Sequence, residues 1–209
     1  MTRGPAWFCG FAVLTLLAGC GALKNYVAPA QHPTLYSLAV DATPAPAKES
    51  STALTLIVNR PHAAAGFDSP HMIYLRHADE LEYFAHNEWI DTPGRMLEPL
   101  IVSAIAARGA YRAVVPIPSP ATGDLRLDTE VLRLQQEFTS VPSQVRFGLR
   151  AYLLETATRR VVASREFEAV VPAPSEDPRG GVTAAHAAVK QVLAQLADFC
   201  AQIAVRGIK

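Results

Sequence analysis

An apolar run that begins near Ala6 ends in Leu17-Ala18-Gly19-Cys20, and this stretch constrains the chain more than any other. Arg3 gives a short positive lead, Trp7 to Leu17 give the apolar segment, and Ala18 and Gly19 are small enough for a peptidase pocket. That is the layout of a secretory signal. A small-small-Cys ending reads as a lipobox, with cleavage between Gly19 and Cys20 and lipidation of the new N-terminal cysteine. The run is well short of the roughly 20 residues a spanning helix needs. Stable attachment takes more than one acyl chain, which a diacylglycerol thioether and an N-acyl group on Cys20 would supply. No other cofactor is expected. Gly21, not Asp, follows the cysteine, so the expected address is the inner leaflet of the outer membrane, with the domain in the periplasm.

The expected organisation is a signal peptide over 1–19, a lipidated N-terminus and tether over 20–33, and one domain over 34–209. Cleavage would leave 18 basic and 19 acidic residues, since Arg3 is the one charged residue of the leader. A clustered basic surface is the electrostatic footprint of nucleic-acid binding, and this chain has none in sequence. Of three cysteines, Cys9 departs with the leader and Cys20 takes the lipid, leaving Cys200 among apolar residues as a buried, inert thiol.

Downstream, Thr34 to Val40 reads as a strand, Asp41 to Thr52 as a Pro- and Ala-rich loop, and Leu54 to Asn59 as a buried strand. Met72 to Arg76 and Leu81 to Phe84 form a hairpin candidate, with Trp89 close behind. Tyr83 and Phe84 are adjacent, so on a strand they face opposite sides. One of them should point outward, where an aromatic suits protein contact. Trp89 could equally serve the core. The candidate partner surface is Tyr74, Arg76, Tyr83, Phe84 and Trp89.

Pro93 opens a helix whose apolar stripe is Leu97, Leu100, Ile101, Ala104 and Ile105, with Thr92 as N-cap and Gly109 as the residue after its end. Pro99 should kink it or delay its start. Tyr111 to Val115 reads as a strand. In the next strand the apolar phase runs Leu125, Leu127, Thr129, Val131 and then flips to Leu132 and Leu134. A one-residue slip turns every side chain over, so a bulge is expected near Val131-Leu132. Val145 to Leu153 and Val161 to Val171 complete an antiparallel meander, and a helix from about Val182 to Ile203 closes the chain. The fold class is α+β: a mainly antiparallel β-sheet with two α-helices packed on one face.

Chemistry is hard to find. There is no nucleophile elbow, phosphate loop or dinucleotide fingerprint, and the histidines lack metal-ligand spacing. The carboxylate pairs Glu80/Glu82 and Glu176/Asp177 sit in a turn and strand and before a helix, where neither has the setting acid–base work needs. No catalytic or metal residues are expected. A cleft converging several of His71, His77, Glu82 and His86 would revive an enzyme.

One resemblance spans nearly the whole mature chain. The order lipobox, Tyr36-Ser37-Leu38, strand 54–59, Tyr74-x-Arg76, Leu81-x-Tyr83-Phe84, Trp89, Pro93, Met96-Leu97 and Leu100 resembles the ABC-type transport auxiliary lipoprotein family. Leu125-Arg126-Leu127, Phe138, Arg150-Ala151, Phe167 and the Ala-rich last helix continue the likeness. Phe84 stands where a second Tyr is frequent, and Glu88 where Arg is frequent. The resemblance implies an antiparallel sheet with two helices and no catalytic residues. It also implies a non-enzymatic adaptor lipoprotein working with an ABC permease/ATPase complex and an MCE-domain protein to move lipids or other hydrophobic compounds between membranes. Self-association is compatible with that role. The alternative is a periplasmic carrier that holds lipid in an apolar cavity.

Overall fold

The structure, a computed structural model, describes residues 32–38 and 54–206. The expected signal peptide with Gly19, Cys20, the tether up to residue 31, Ala39 and Val40 of the first expected strand and the whole 41–52 loop therefore lie outside the described residues. Among the described residues the elements run β1 (Thr34–Tyr36), β2 (Thr55–Val58), β3 (His62–Ala63), β4 (His71–Leu75), β5 (Glu82–Trp89), α1 (Pro93–Ala106), β6 (Ala113–Pro116), β7 (Leu125–Glu137), β8 (Gln144–Glu155), β9 (Val161–Pro172) and α2 (Pro178–Arg206).

The sheet is organised on β7. Along one edge it pairs antiparallel with β8 over nearly its whole length, and β8 pairs antiparallel with β9. The expected bulge is present: Val131 faces Leu149 and Arg133 faces Gly148, leaving Leu132 as the extra residue. The insertion resets the alternation, so Leu125, Leu127, Thr129 and Val131 point inward before it and Leu134 and Gln136 after it.

Along the other edge of β7, three short strands lie end to end and parallel to it. β2 pairs at Leu125–Leu127, β3 at Glu130–Val131 and β4 at Gln135–Glu137. They amount to one interrupted strand, broken around Pro61 and again around Gly66 (φ +90) and Pro70. β2 also pairs parallel with β6, β1 pairs parallel with β5, and β4 and β5 form the antiparallel hairpin. The α+β class and the two helices on one face stand, and the antiparallel meander carries the long ladders. The sheet as a whole is mixed, because the short strands return to β7 through α1 rather than through tight turns.

α1 begins at Pro93 despite Pro99, which is exposed along with Arg95, whose carbonyl it leaves without its helical partner. That carbonyl can turn to water, which is how a helix tolerates an internal proline. Thr92 holds the N-cap position but makes no side-chain cap bond. Gly109 takes φ +63 two residues beyond the C-cap Ala107. α2 starts earlier than the periodicity suggests. Asp177 Oδ1 accepts from Gly180 N–H at 2.7 Å and from Ser175 Oγ at 2.9 Å, and Pro178 opens the first turn.

This cap gives a prediction with a reversed sign. Helix propensity alone favours Gly→Ala by about 1 kcal/mol. A Cβ on Gly180 would clash with Ser175 O, a backbone atom that cannot step aside without opening the cap. Gly180→Ala is expected to lose roughly 1–3 kcal/mol in a denaturant titration, the usual cost of overpacking. A raised midpoint would contradict the cap geometry.

The core lies between the sheet and the helices. Phe147, Leu149, Ala151 and Leu153 of β8 and Val189, Val192 and Leu196 of α2 are fully buried in it, and α1 adds Leu97, Ile101 and Ile105. α2 covers β8 and β9 and packs against α1.

Candidate functional site

The five residues singled out from sequence fall into three places. Tyr74 and Phe84 lie on the helix-facing side at the end of the sheet, their ring centres 4.5 Å apart. Phe138, just past β7, packs edge-on to both. Arg76 covers this cluster: its guanidinium sits 5.3 Å from the Tyr74 ring centre, and Nη2 donates to Tyr74 Oη at 3.1 Å. Tyr74 Oη in turn donates to Glu82 Oε2 at 2.8 Å, directly across the hairpin. The bond to that carboxylate and burial raise the Tyr74 phenol above its ordinary value.

Trp89 is in the core at 4 % exposure, and its backbone N–H donates to Pro70 O at 2.8 Å, so of its two readings the structural one holds. Tyr83 and Phe84 split as adjacent strand residues should, with Phe84 against the core and Tyr83 outward at 59 % exposure. Tyr83 stacks on His71 at 4.6 Å, and His71 lies 3.8 Å from Glu88. Between β4, β5 and α2 is a cavity of about 20 Å³ lined by Met72, Phe84, Trp89, Val145, Gln136 and Ala185. That is room for about one water-sized group.

The conditional enzyme cleft does not form. Glu82 is held by Tyr74 and Arg76, His71 lies under Tyr83, and His77 and His86 are exposed. No group of three His, Cys, Asp or Glu side chains is placed to hold a metal among the described residues. Cys200 is fully buried, and burial pushes its thiol up to about 12. No helix among the described residues is long and apolar enough to cross a membrane.

The sheet face opposite the helices carries rows of charge. Arg150 bridges Glu130 at 2.8 Å and Glu166 at 2.7 Å, and Arg146 bridges Glu137 and Glu168, both at 2.8 Å. Burial pushes the Glu137 carboxyl up, but bonds from Arg146, Gln135 and Gln144 outweigh it and hold it below its ordinary value of 4.5. A depressed carboxylate stabilises the fold above its unfolded value and loses that contribution as pH falls through the folded one. Arg146→Ala is therefore expected to cost on the order of 1–3 kcal/mol at neutral pH, because it leaves a largely buried carboxylate short of donors. The gap from the unsubstituted protein should close as pH drops below about 4.5. Urea midpoints across pH would read it, and a pH-independent gap would contradict the linkage.

These features define a small α+β domain in which α1 and α2 close one face of a sheet built on β7. The chain belongs to the ABC-type transport auxiliary lipoprotein component family, whose model matches residues 36–197. It is similar to the crystal structure of protein XCC0632 from Xanthomonas campestris, of the DUF330 family, at 29 % identity and TM-score 0.72, covering 81 % of this chain and 95 % of that one. A crystal structure of an uncharacterized protein shares the fold at 14 % identity and TM-score 0.61, covering 82 % and 97 %. A PelC dodecamer from Paraburkholderia phytofirmans aligns at 16 % identity and TM-score 0.44, covering 72 % and 92 %. No curated protein matches the sequence.

Sequence reasoning missed two residues of the outward surface, Leu35 and Ile90, exposed at 57 % and 62 %. Leu35 lies in a strand-like run and Ile90 directly follows Trp89, and hydrophobicity alone does not tell a buried side chain from an exposed one.

Proposed function

We propose that the protein is a lipid-anchored, non-enzymatic adaptor of an ABC-type transport system that moves lipids or other hydrophobic compounds between membranes. In this reading Cys20 carries the diacylglycerol and N-acyl chains and holds the domain at the periplasmic face of the outer membrane. The domain there contacts an MCE-domain protein linked to the ABC permease and ATPase. The family match over residues 36–197 carries the reading. The space beneath the hairpin, with room for about one water-sized group, supports contact over carriage at that place.

Mass spectrometry of the lipidated protein purified from its native envelope tests the proposal for proteins and lipids together. An MCE-domain protein and an ABC permease should be recovered, with no lipid held by the domain beyond its own anchor. Stoichiometric lipid on the isolated domain with no stable partner would replace the adaptor by a carrier.

A further inference from the structure

The outward face of the sheet is not uniform. On β7 to β9 it is a lattice of ion pairs, but at the β1–β5–β4 edge it turns apolar. Leu35 pairs with Glu88 across β1 and β5, and Glu88 pairs with His71 across β5 and β4, so the three share one face. Tyr83 stacks on that His71. Ile90 follows the buried Trp89, and its N–H bonds Tyr36 O at 2.7 Å, so the chain there turns its side chain out beside Leu35. Leu35, Tyr83 and Ile90 are each more than half exposed.

Glu88 lies on this face in register with Leu35, and the chain on either side of it is mostly acidic. From Asp68 to Arg95 there are six carboxylates, Asp68, Asp79, Glu80, Glu82, Glu88 and Asp91, against the two guanidinium groups Arg76 and Arg95. Both guanidinium groups are already paired, Arg76 with Glu82 and Arg95 with Asp91. Asp68, Asp79 and Glu80 are exposed. An anionic bilayer is repelled by such a rim. A second copy docking through the same patch would set acidic rim against acidic rim.

From this we infer that Leu35, Tyr83 and Ile90 form a docking site for a partner protein whose own contact surface has an apolar centre rimmed by Lys and Arg. The site deepens the adaptor reading and rests on it. The apolar trio supplies desolvated contact. The carboxylates set orientation, speed encounter and reject acidic surfaces.

The test places a photoreactive benzoylphenylalanine at Tyr83 or Ile90 of the full chain in isolated envelopes, with the half-exposed Val161 on β9 as the control. Positions 83 and 90 should crosslink to one polypeptide, and the crosslinked peptide should carry apolar residues flanked by Lys or Arg. Glu88→Lys should lower the yield about tenfold or more, since like-charge juxtaposition at an interface costs several kcal/mol. Raising salt from about 0.1 M to about 1 M shortens the screening length from about 10 to about 3 Å and should lower the yield as well. Crosslinks at 83 and 90 that reach only lipid, only a second copy or nothing would overturn the site. So would an acidic partner peptide, or a yield indifferent to Glu88→Lys. Transporter proteins crosslinking at Val161 but not at 83 or 90 would sink the site and leave the adaptor standing. Their absence from every crosslinked and co-purified species would sink the adaptor itself.

Discussion

Cys20→Ser is expected to move the protein from the membrane pellet to the soluble fraction, the largest effect of any single substitution here. Each buried CH₂ contributes about 0.8 kcal/mol, and a single acyl chain gives only marginal, reversible attachment. Serine offers no thiol for the thioether, so the diacylglycerol is lost, and the N-acyl chain added after cleavage is lost with it. Among the described residues no helix could substitute as a membrane span. Fractionation of envelopes, with the mass of the N-terminal peptide, reads the outcome. Retention of the serine variant in the pellet through a salt wash would contradict lipidation at Cys20. The domain should meanwhile keep its thermal midpoint, since Cys20 lies before the family-matched residues 36–197.

Phe147→Ala is expected to cost about 3–5 kcal/mol, the range for truncating a fully buried aromatic. Phe147 has no exposed surface. It lies between Leu134 on β7 and Ala169 on β9, under α2. Neighbours on both flanking strands and the helix above are fixed by long ladders, so the space left cannot close by a local shift, and part of the cost is the cavity itself. For a domain of this size the melting temperature should fall by roughly 6–20 °C. A drop below about 1 kcal/mol would mean that the helix–sheet interface is looser than the burial of Phe147, Val192 and Leu196 implies.

The parts of the fold legible in the sequence were those written in local pattern. The flip of apolar phase after Val131 located the bulge at Leu132, because the side-chain period of a strand leaves no other way to keep both Leu127 and Leu134 inside. The Tyr83-Phe84 dipeptide likewise had to send one ring out. The parallel pairings of β2, β3 and β4 with β7 were not legible. They join residues 55–75 to 125–137 across a crossover, and no turn signal marks such a pairing. A two-residue strand such as His62–Ala63 has too few side chains to show a period. The start of α2 was misplaced for a different reason. Gly180 and Gly181 read as the entry to the helix, yet they lie inside its first turn, where the Ser175 carbonyl presses against Gly180.

The candidate surface was legible only in part. Aromatic content pointed to the hairpin, but Trp89 went to the core and Tyr74 to a hydrogen-bonded cluster with Glu82 and Arg76. What turns outward is Tyr83, joined by Leu35 from a strand nearly fifty residues earlier in the chain and by Ile90. That juxtaposition depends on the parallel β1–β5 pairing, which is a property of the fold rather than of any one stretch.

The central claim is that this domain works by contact within a transport assembly, and purification of the lipidated protein from its native envelope tests it most directly. The account predicts recovery of an ABC permease with an MCE-domain protein, and no lipid on the domain beyond the acyl chains of Cys20. Recovery of the protein alone, with one lipid molecule bound per domain, would contradict it.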